Sequence, residues 1–152
     1  MIVIGEKLNS SIPSVYAAIE KKDSRFVSDL AVKQEEAGAH FLDINAGMFV
    51  EAEEENLRWL MNTVQAVSKL PLVIDTPDPS VALALAKEYR GEKPVINSVT
   101  LEENRFAPMV EAAKIMLMNG DLDEKLAYLY ACPIEAAALI RKRPDLPWRA
   151  DH

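Results

Sequence analysis

Short apolar runs alternate with longer amphipathic stretches along the chain. Ile2-Val3-Ile4, His40-Phe41-Leu42-Asp43-Ile44-Asn45, Pro71-Leu72-Val73-Ile74-Asp75 and Pro94-Val95-Ile96-Asn97-Ser98 predict strands. None shows clear period-2 alternation, as expected of parallel strands covered on both faces. The stretches between them predict helices. One runs from Ile12-Pro13, behind Ser10-Ser11 as a cap, to about Glu20. A second starts at Asp23-Ser24 and stops at Gly38. A third spans Glu51 to Leu70, with Leu57, Leu60, Met61, Val64 and Val67 on one face. A fourth spans Ser80 to about Arg90 and is capped at Asp78-Pro79. The order β-α-β-α-β-α-β with short links is that of an α/β fold with a parallel sheet.

Beyond Asn97 the pattern loosens. Thr100-Leu101-Glu102-Glu103 has the form of a capping box, and Pro108 interrupts or restarts the helix it would open. Lys114 to Met118 is a fifth strand or the end of that helix. Leu122 to Tyr130 and a segment from Pro133 to about Ile140 predict short helices, followed by a proline-punctuated tail.

The 152 residues carry a formal net charge of -7, with 49% apolar and 27% charged positions. That composition is ordinary for a globular domain with a real core. The length falls short of the roughly 200 residues of a complete eightfold β/α barrel. The acidic balance argues against nucleic acid and anionic membranes as partners. Cys132 is the one cysteine, and with only His40 and His152 besides, no Cys/His metal cluster can form. No window is long and apolar enough for a membrane span, and no signal-peptide pattern opens the chain, so a cytoplasmic protein is expected.

In parallel α/β folds ligands bind at the carboxyl ends of the strands. Here those ends carry Glu6 and Asn9, Asp43 and Asn45, Asp75, and Asn97. A carboxylate accepts paired N–H groups, and an asparagine amide donates and accepts at once. That surface suits a heterocycle with an amino-pyrimidinone edge. It also suits purines and polyols, and spacing does not choose among them.

The residues around these ends resemble a known family. Met1 to Asn9, Ala39 to Gly47, Leu72 to Thr76 and Val95 to Ser98 are similar to the GERxN-like, DIN, IDT/IDS and INS elements of pterin-binding proteins, in their order and spacing. Gln34 to Ala39 fits as well, and the likeness extends over about residues 1–108. The chain most resembles the methyltetrahydrofolate:corrinoid methyltransferases, then the folate domain of cobalamin-dependent methionine synthase, and more distantly dihydropteroate synthase. The resemblance implies a partial TIM-barrel-like chain of four to five parallel strands over 1–108, with a helical C-terminal segment, 109–152, in the same domain. It implies methyltetrahydrofolate as methyl donor, a corrinoid carried by a partner protein as acceptor, and no metal bound by this chain.

By the same resemblance, Asn97 bonds the heterocycle edge and Asp75 accepts its ring or amino N–H groups. Glu6 and Asn9 lie in the loop after the first strand, and Asp43 and Asn45 shape the floor of the site. Two further elements of the family, an IDP-like Asp and a GxSN-like Asn, are not found here. The catalytic group is therefore unassigned. Two alternatives stand beside methyl transfer: a truncated or degenerate half-barrel that binds or assembles without catalysis, and a dihydropteroate synthase-like enzyme. The open sheet edges lead us to expect cover from the tail or from a second copy in a homodimer.

Several of these residues also have plainer readings. Asp43 and Asn45 can serve as hydrogen-bond hubs for loop backbone. Glu6 can form a surface ion pair, and Asn9 can simply precede a cap. The Glu51 to Glu55 run reads as a solvated helix start, His40 as packing at a strand start, and Cys132 as an inert thiol.

Overall fold

Apolar runs of four to six residues become parallel strands when amphipathic helices shield one face, and the chain follows that rule. The computed structural model describes residues 2–91 and 94–99, Pro108, and the backbone of 129–131. The elements are β1 (Ile4–Asn9), α1 (Pro13–Glu20), α2 (Ser24–Glu36), β2 (Phe41–Asn45), a 3-10 segment (Gly47–Ala52), α3 (Glu53–Gln65), β3 (Leu72–Asp75), α4 (Pro79–Glu88), β4 (Val95–Val99) and β5 (Leu129–Ala131).

All neighbouring strands pair in parallel, and their order in the sheet is their order in the chain. A doubly wound sheet reverses direction at a switch point, whereas a barrel adds each strand beside the last. Leu8, Leu42, Ile44, Leu72, Ile74 and Ile96 form one buried cluster with Ile19, Val27, Leu57, Leu60, Met61 and Leu85 from the four helices. The helices thus cover a single face of the sheet. This is the expected partial TIM-barrel arrangement, and among the described residues the barrel is not closed. The intervening strand residues Asp43, Asn45, Val73, Asp75, Val95 and Asn97 point to the other, inner face.

Local chemistry sets the boundaries. Asp23 caps α2 by accepting from the Phe26 N–H at 3.0 Å. At the other end Gly38, at φ 91, allows its own N–H to reach the Glu35 carbonyl and that of Ala39 to reach Gln34. That pair of bonds is a Schellman stop. Asp78 caps α4 through the Ser80 N–H at 2.8 Å, with Pro79 following.

Four expectations are corrected. The first strand is displaced to Ile4–Asn9, so Glu6 and Asn9 lie within it rather than in a loop after it. Ile2 and Val3 are exposed, and the ladder starts where Ile4 meets Phe41. The polar Gly5-Glu6-Lys7 stretch is tolerated because the register shifts between Gly5 and Leu8, and the Lys7 N–H leaves the ladder for Gln34 Oε1 at 2.9 Å. A Cβ at position 5 would stand 2.7 Å from that same oxygen, so any larger residue would displace the Gln34 side chain.

Ser10 and Ser11 do not cap α1: Ile12 holds the cap position without a side-chain bond, and Ser10 is recruited elsewhere. The third helix is shorter than Glu51–Leu70, because the 3-10 segment takes its first residues and the helix ends at Gln65, leaving Val67 exposed. The helix expected over Leu122–Tyr130 does not hold at its end, where Leu129–Ala131 forms β5 and pairs with β4. Open strand edges recruit backbone regardless of local helix preference. The Thr100–Glu103 box, Lys114–Met118, Cys132, the Pro133 helix and the tail lie outside the described residues. Among the described residues no helix is long and apolar enough to cross a membrane.

One bond from outside the sheet secures the start of β3. The buried Leu72 N–H donates to the Tyr89 hydroxyl at 3.2 Å, just after α4. Phenylalanine in place of Tyr89 removes that acceptor and leaves a buried donor unpaired. Tyr89→Phe is expected to cost about 1–3 kcal/mol, read as a lower urea midpoint at unchanged slope. An unchanged midpoint would show that the bond contributes nothing net.

Candidate functional site

The sheet register places the candidate residues side by side. Asn9 is the Cα partner of Asn45, Asn45 of Asp75, and Asp75 of Asn97. Four successive strands therefore each place one of these residues in a single row on the inner face, with about 4.8 Å between neighbours. The row continues in the backbone to Tyr130 of β5. Asp43 lies two residues before Asn45, on the same face. Glu6 stands at the irregular part of β1, close enough for its charge to act on both Asp43 and Asp75.

Asn45 organises the middle of the row. Its Oδ1 accepts from the Ser10 hydroxyl at 2.9 Å and from the Gly47 N–H at 3.0 Å. Its Nδ2 donates to Asp75 Oδ2 at 3.0 Å. The Gly47 N–H fixes which end of the amide is oxygen, so the nitrogen must face Asp75. Asn45 is thus largely committed to the protein, and it aims the Asp75 carboxylate. Ser10, 2% exposed, also accepts from the Met48 N–H at 3.1 Å, which ties the 3-10 segment to β1. That segment carries Val50 at φ 33, an uncommon backbone for a β-branched residue, and holds Phe49 stacked on Tyr16 at 4.4 Å.

The remaining groups face inward with unfilled valence. Asp75 is half-buried, and its Oδ1 has no bonded partner among the described residues. The Asn97 side chain lies near enough to Asp43 to favour its charged form. Asn9 uses its Oδ1 to accept from the Ser11 N–H at 2.9 Å, and its Nδ2 is unbonded among the described residues.

Electrostatics divide the carboxylates. Asp43 is 4% exposed. Burial, then the charges of Asp75 and Glu6, push its carboxyl from 3.8 up to about 7, against the lowering effect of the Asn97 side chain. Burial also raises Asp75, opposed by the Asn45 bond and assisted by Glu6. The inner face thus offers a carboxyl that is half-protonated near neutrality beside an oriented carboxylate. Together they donate and accept along one edge, as a planar amide-like heterocycle requires. Among the described residues no group of three or more His, Cys, Asp or Glu side chains could hold a metal ion.

Two site-supporting residues escaped sequence reasoning. Glu53, placed in a solvated acidic run, is 7% exposed and accepts from the Thr76 hydroxyl at 2.6 Å. Thr76 is fully buried, and its N–H donates to the Asn97 carbonyl at 2.9 Å. An acidic first turn predicts a favourable helix start but not which carboxylate turns inward. The Thr following Asp75 was the one available signal.

Comparison with known proteins gives concordant matches. Residues 5–124 match the family described as pterin binding enzyme. Over 107 residues the chain is 47% identical to a methylcorrinoid:tetrahydrofolate methyltransferase of Eubacterium limosum, covering 70% of this chain and 39% of that protein. Over 117 residues it is 30% identical to a methionine synthase of Mycobacterium leprae (strain TN), covering 73% of this chain and 10% of that protein. The chain spans well under half the length of these curated relatives.

Proposed function

The chain belongs to the pterin-binding enzyme family, and on that premise we propose that its inner-face row binds the pterin ring of a tetrahydrofolate for methyl transfer between N5 and a corrinoid. The observation that carries this reading is the aimed Asp75 carboxylate. Asn45 holds Oδ2 at 3.0 Å, and Oδ1 is left to accept ring or amino N–H groups. Asn97, its neighbour in the row, presents an amide to the same edge. The contacts all come from within residues 1–108.

A corrinoid carried by a partner protein supplies the other methyl-bearing centre. The relative's name writes the methylcorrinoid first. A site complementary to the transition state serves both directions, so methyltetrahydrofolate is either donor or product. When methyltetrahydrofolate is the donor, the tertiary amine N5 needs a proton or a strong hydrogen bond as its methyl bond breaks; when it is the product, N5 of tetrahydrofolate is a secondary amine that gives up its proton as the bond forms. Asp43, with its carboxyl near 7, can hold and release a proton beside the row. The row orients the ring, and burial, with the charges of Asp75 and then Glu6, holds the proton on Asp43. The acidic surroundings favour a neutral ring edge, so the anionic tail of a folate points away from the three carboxylates. A cytoplasmic setting fits these reactants.

Titration calorimetry of the full chain with methyltetrahydrofolate tests the reading. Saturable binding is expected, and Asn97→Ala should weaken it about tenfold, the effect of one hydrogen bond to a polar edge. Methyl exchange with methylcobalamin, followed by its visible spectrum, reports the second half of the proposal. A chain that is folded by circular dichroism yet binds no folate would overturn it.

A further inference from the structure

Behind the row, a buried pair joins α3 to the β3 exit and, through it, to α4 and β4. Thr76 has no exposed surface, and every polar group it has beyond its carbonyl is assigned. Its hydroxyl donates to Glu53 Oε1 at 2.6 Å and accepts from the Asp78 N–H at 3.1 Å, while its N–H donates to the Asn97 carbonyl at 2.9 Å. One residue thus links the first turn of α3, the exit of β3, the cap of α4 and the end of β4. Thr76 directly follows Asp75, and its N–H grips the backbone of Asn97. A shift at Thr76 therefore moves both side chains assigned to the pterin edge.

Of the three glutamates in the first turn of α3, Glu53 is the one that is buried. Its neighbours Glu54 and Glu55 sit on the solvent side, where Glu54 pairs with Arg58 at 2.6 Å and Glu55 approaches Lys22 at 3.6 Å. A buried carboxylate is retained at a cost unless it is bonded, and here the bond goes to the residue that sets the site backbone. We propose that Glu53 is a positioning residue: through the Thr76 hydroxyl it fixes the β3 exit, and so the spacing of Asp75 and Asn97 that a pterin requires. This rests on the pterin-binding reading for its ligand, but not for its geometry.

The test uses Glu53→Leu, Thr76→Val and the double variant, with Thr76→Ser as the conservative control. Glu53→Leu takes the acceptor from the Thr76 hydroxyl, and Thr76→Val takes the donor from Glu53 and an acceptor from the Asp78 N–H, so each should lower the melting temperature. The double variant removes the Glu53–Thr76 mismatch but not the loss at Asp78, and should regain part of that stability. Positioning predicts that tetrahydrofolate affinity falls about 10- to 100-fold in both single variants and stays low in the double variant, while Thr76→Ser keeps it near wild type. A merely structural pair would restore affinity together with stability. A ligand-free reading comes from the Asn45 side-chain amide, which bonds Asp75 and reports its position by nuclear magnetic resonance. Its signals should move in Thr76→Val and in the double variant, and hold in Thr76→Ser. Unmoved signals in the folded double variant overturn the inference whatever folate does. Moved signals in a chain whose wild type binds no folate support the positioning and overturn the pterin reading instead. If Thr76→Val fails to fold, Glu53→Leu and the double variant carry the same comparison.

Discussion

Asp75→Ala is expected to weaken tetrahydrofolate binding by at least about 100-fold, on the order of 3 kcal/mol, while the chain stays folded. The side chain faces the inner surface, so its loss opens no hole in the helix-side cluster. Its removal takes away the acceptor on the row that Asn45 holds in place, and it leaves the Asn45 Nδ2 with only the Asp75 carbonyl at 3.4 Å. A site built to hydrogen-bond a polar edge loses most when its aligned acceptor goes, because the ligand's N–H groups then remain unpaired. Calorimetry with the variant, beside a melting curve, separates affinity from folding. A loss under threefold would show that Asp75 does not touch the ligand.

Asp43→Asn is expected to stabilise the protein in mild alkali. The folded chain holds the Asp43 proton up to about 7, while the unfolded chain releases it near 3.8. Between those values the folded state binds the extra proton. The stability that Asp43 allows is full below the ordinary aspartate range, falls as pH rises through that window, and is lost above about 7. Asparagine removes the charge and still offers Asn97 an acceptor. The gain at pH 8 should be about 2–4 kcal/mol, shrinking to nearly nothing at about pH 4. Asp75, raised by burial, adds a dependence of the same sign that the variant leaves in place. Urea titrations at both pH values check this. A variant no more stable than wild type at pH 8 would mean that Asp43 is already ionised without penalty.

The strands β2, β3 and β4 were legible because a strand buried on both faces reads as an unbroken apolar run, and each run stops at the polar residue that ends on the site. The same stops made Asp43, Asn45, Asp75 and Asn97 visible as a group. β1 was not legible in its correct place. An edge strand with a register shift accepts Gly5, Glu6 and Lys7, and that polarity looks like a loop. The inward turn of Glu53 was hidden for another reason. Three glutamates in one turn are equivalent in sequence, and only packing against Thr76 tells them apart. β5 was missed because its residues pair with a distant strand, and helical preference nearby says nothing about that partner.

The row on the inner face spans strands that are each only four to six residues long. A slip of one residue in any of them would turn its polar end toward the helices and its apolar residues toward the ligand. A molecule gripping the row from Asn9 to Asn97 therefore fastens four consecutive repeats in one alignment. Substrate would then act as a template for the sheet, and its occupancy should slow amide hydrogen exchange along all four strands together, far beyond the residues it touches.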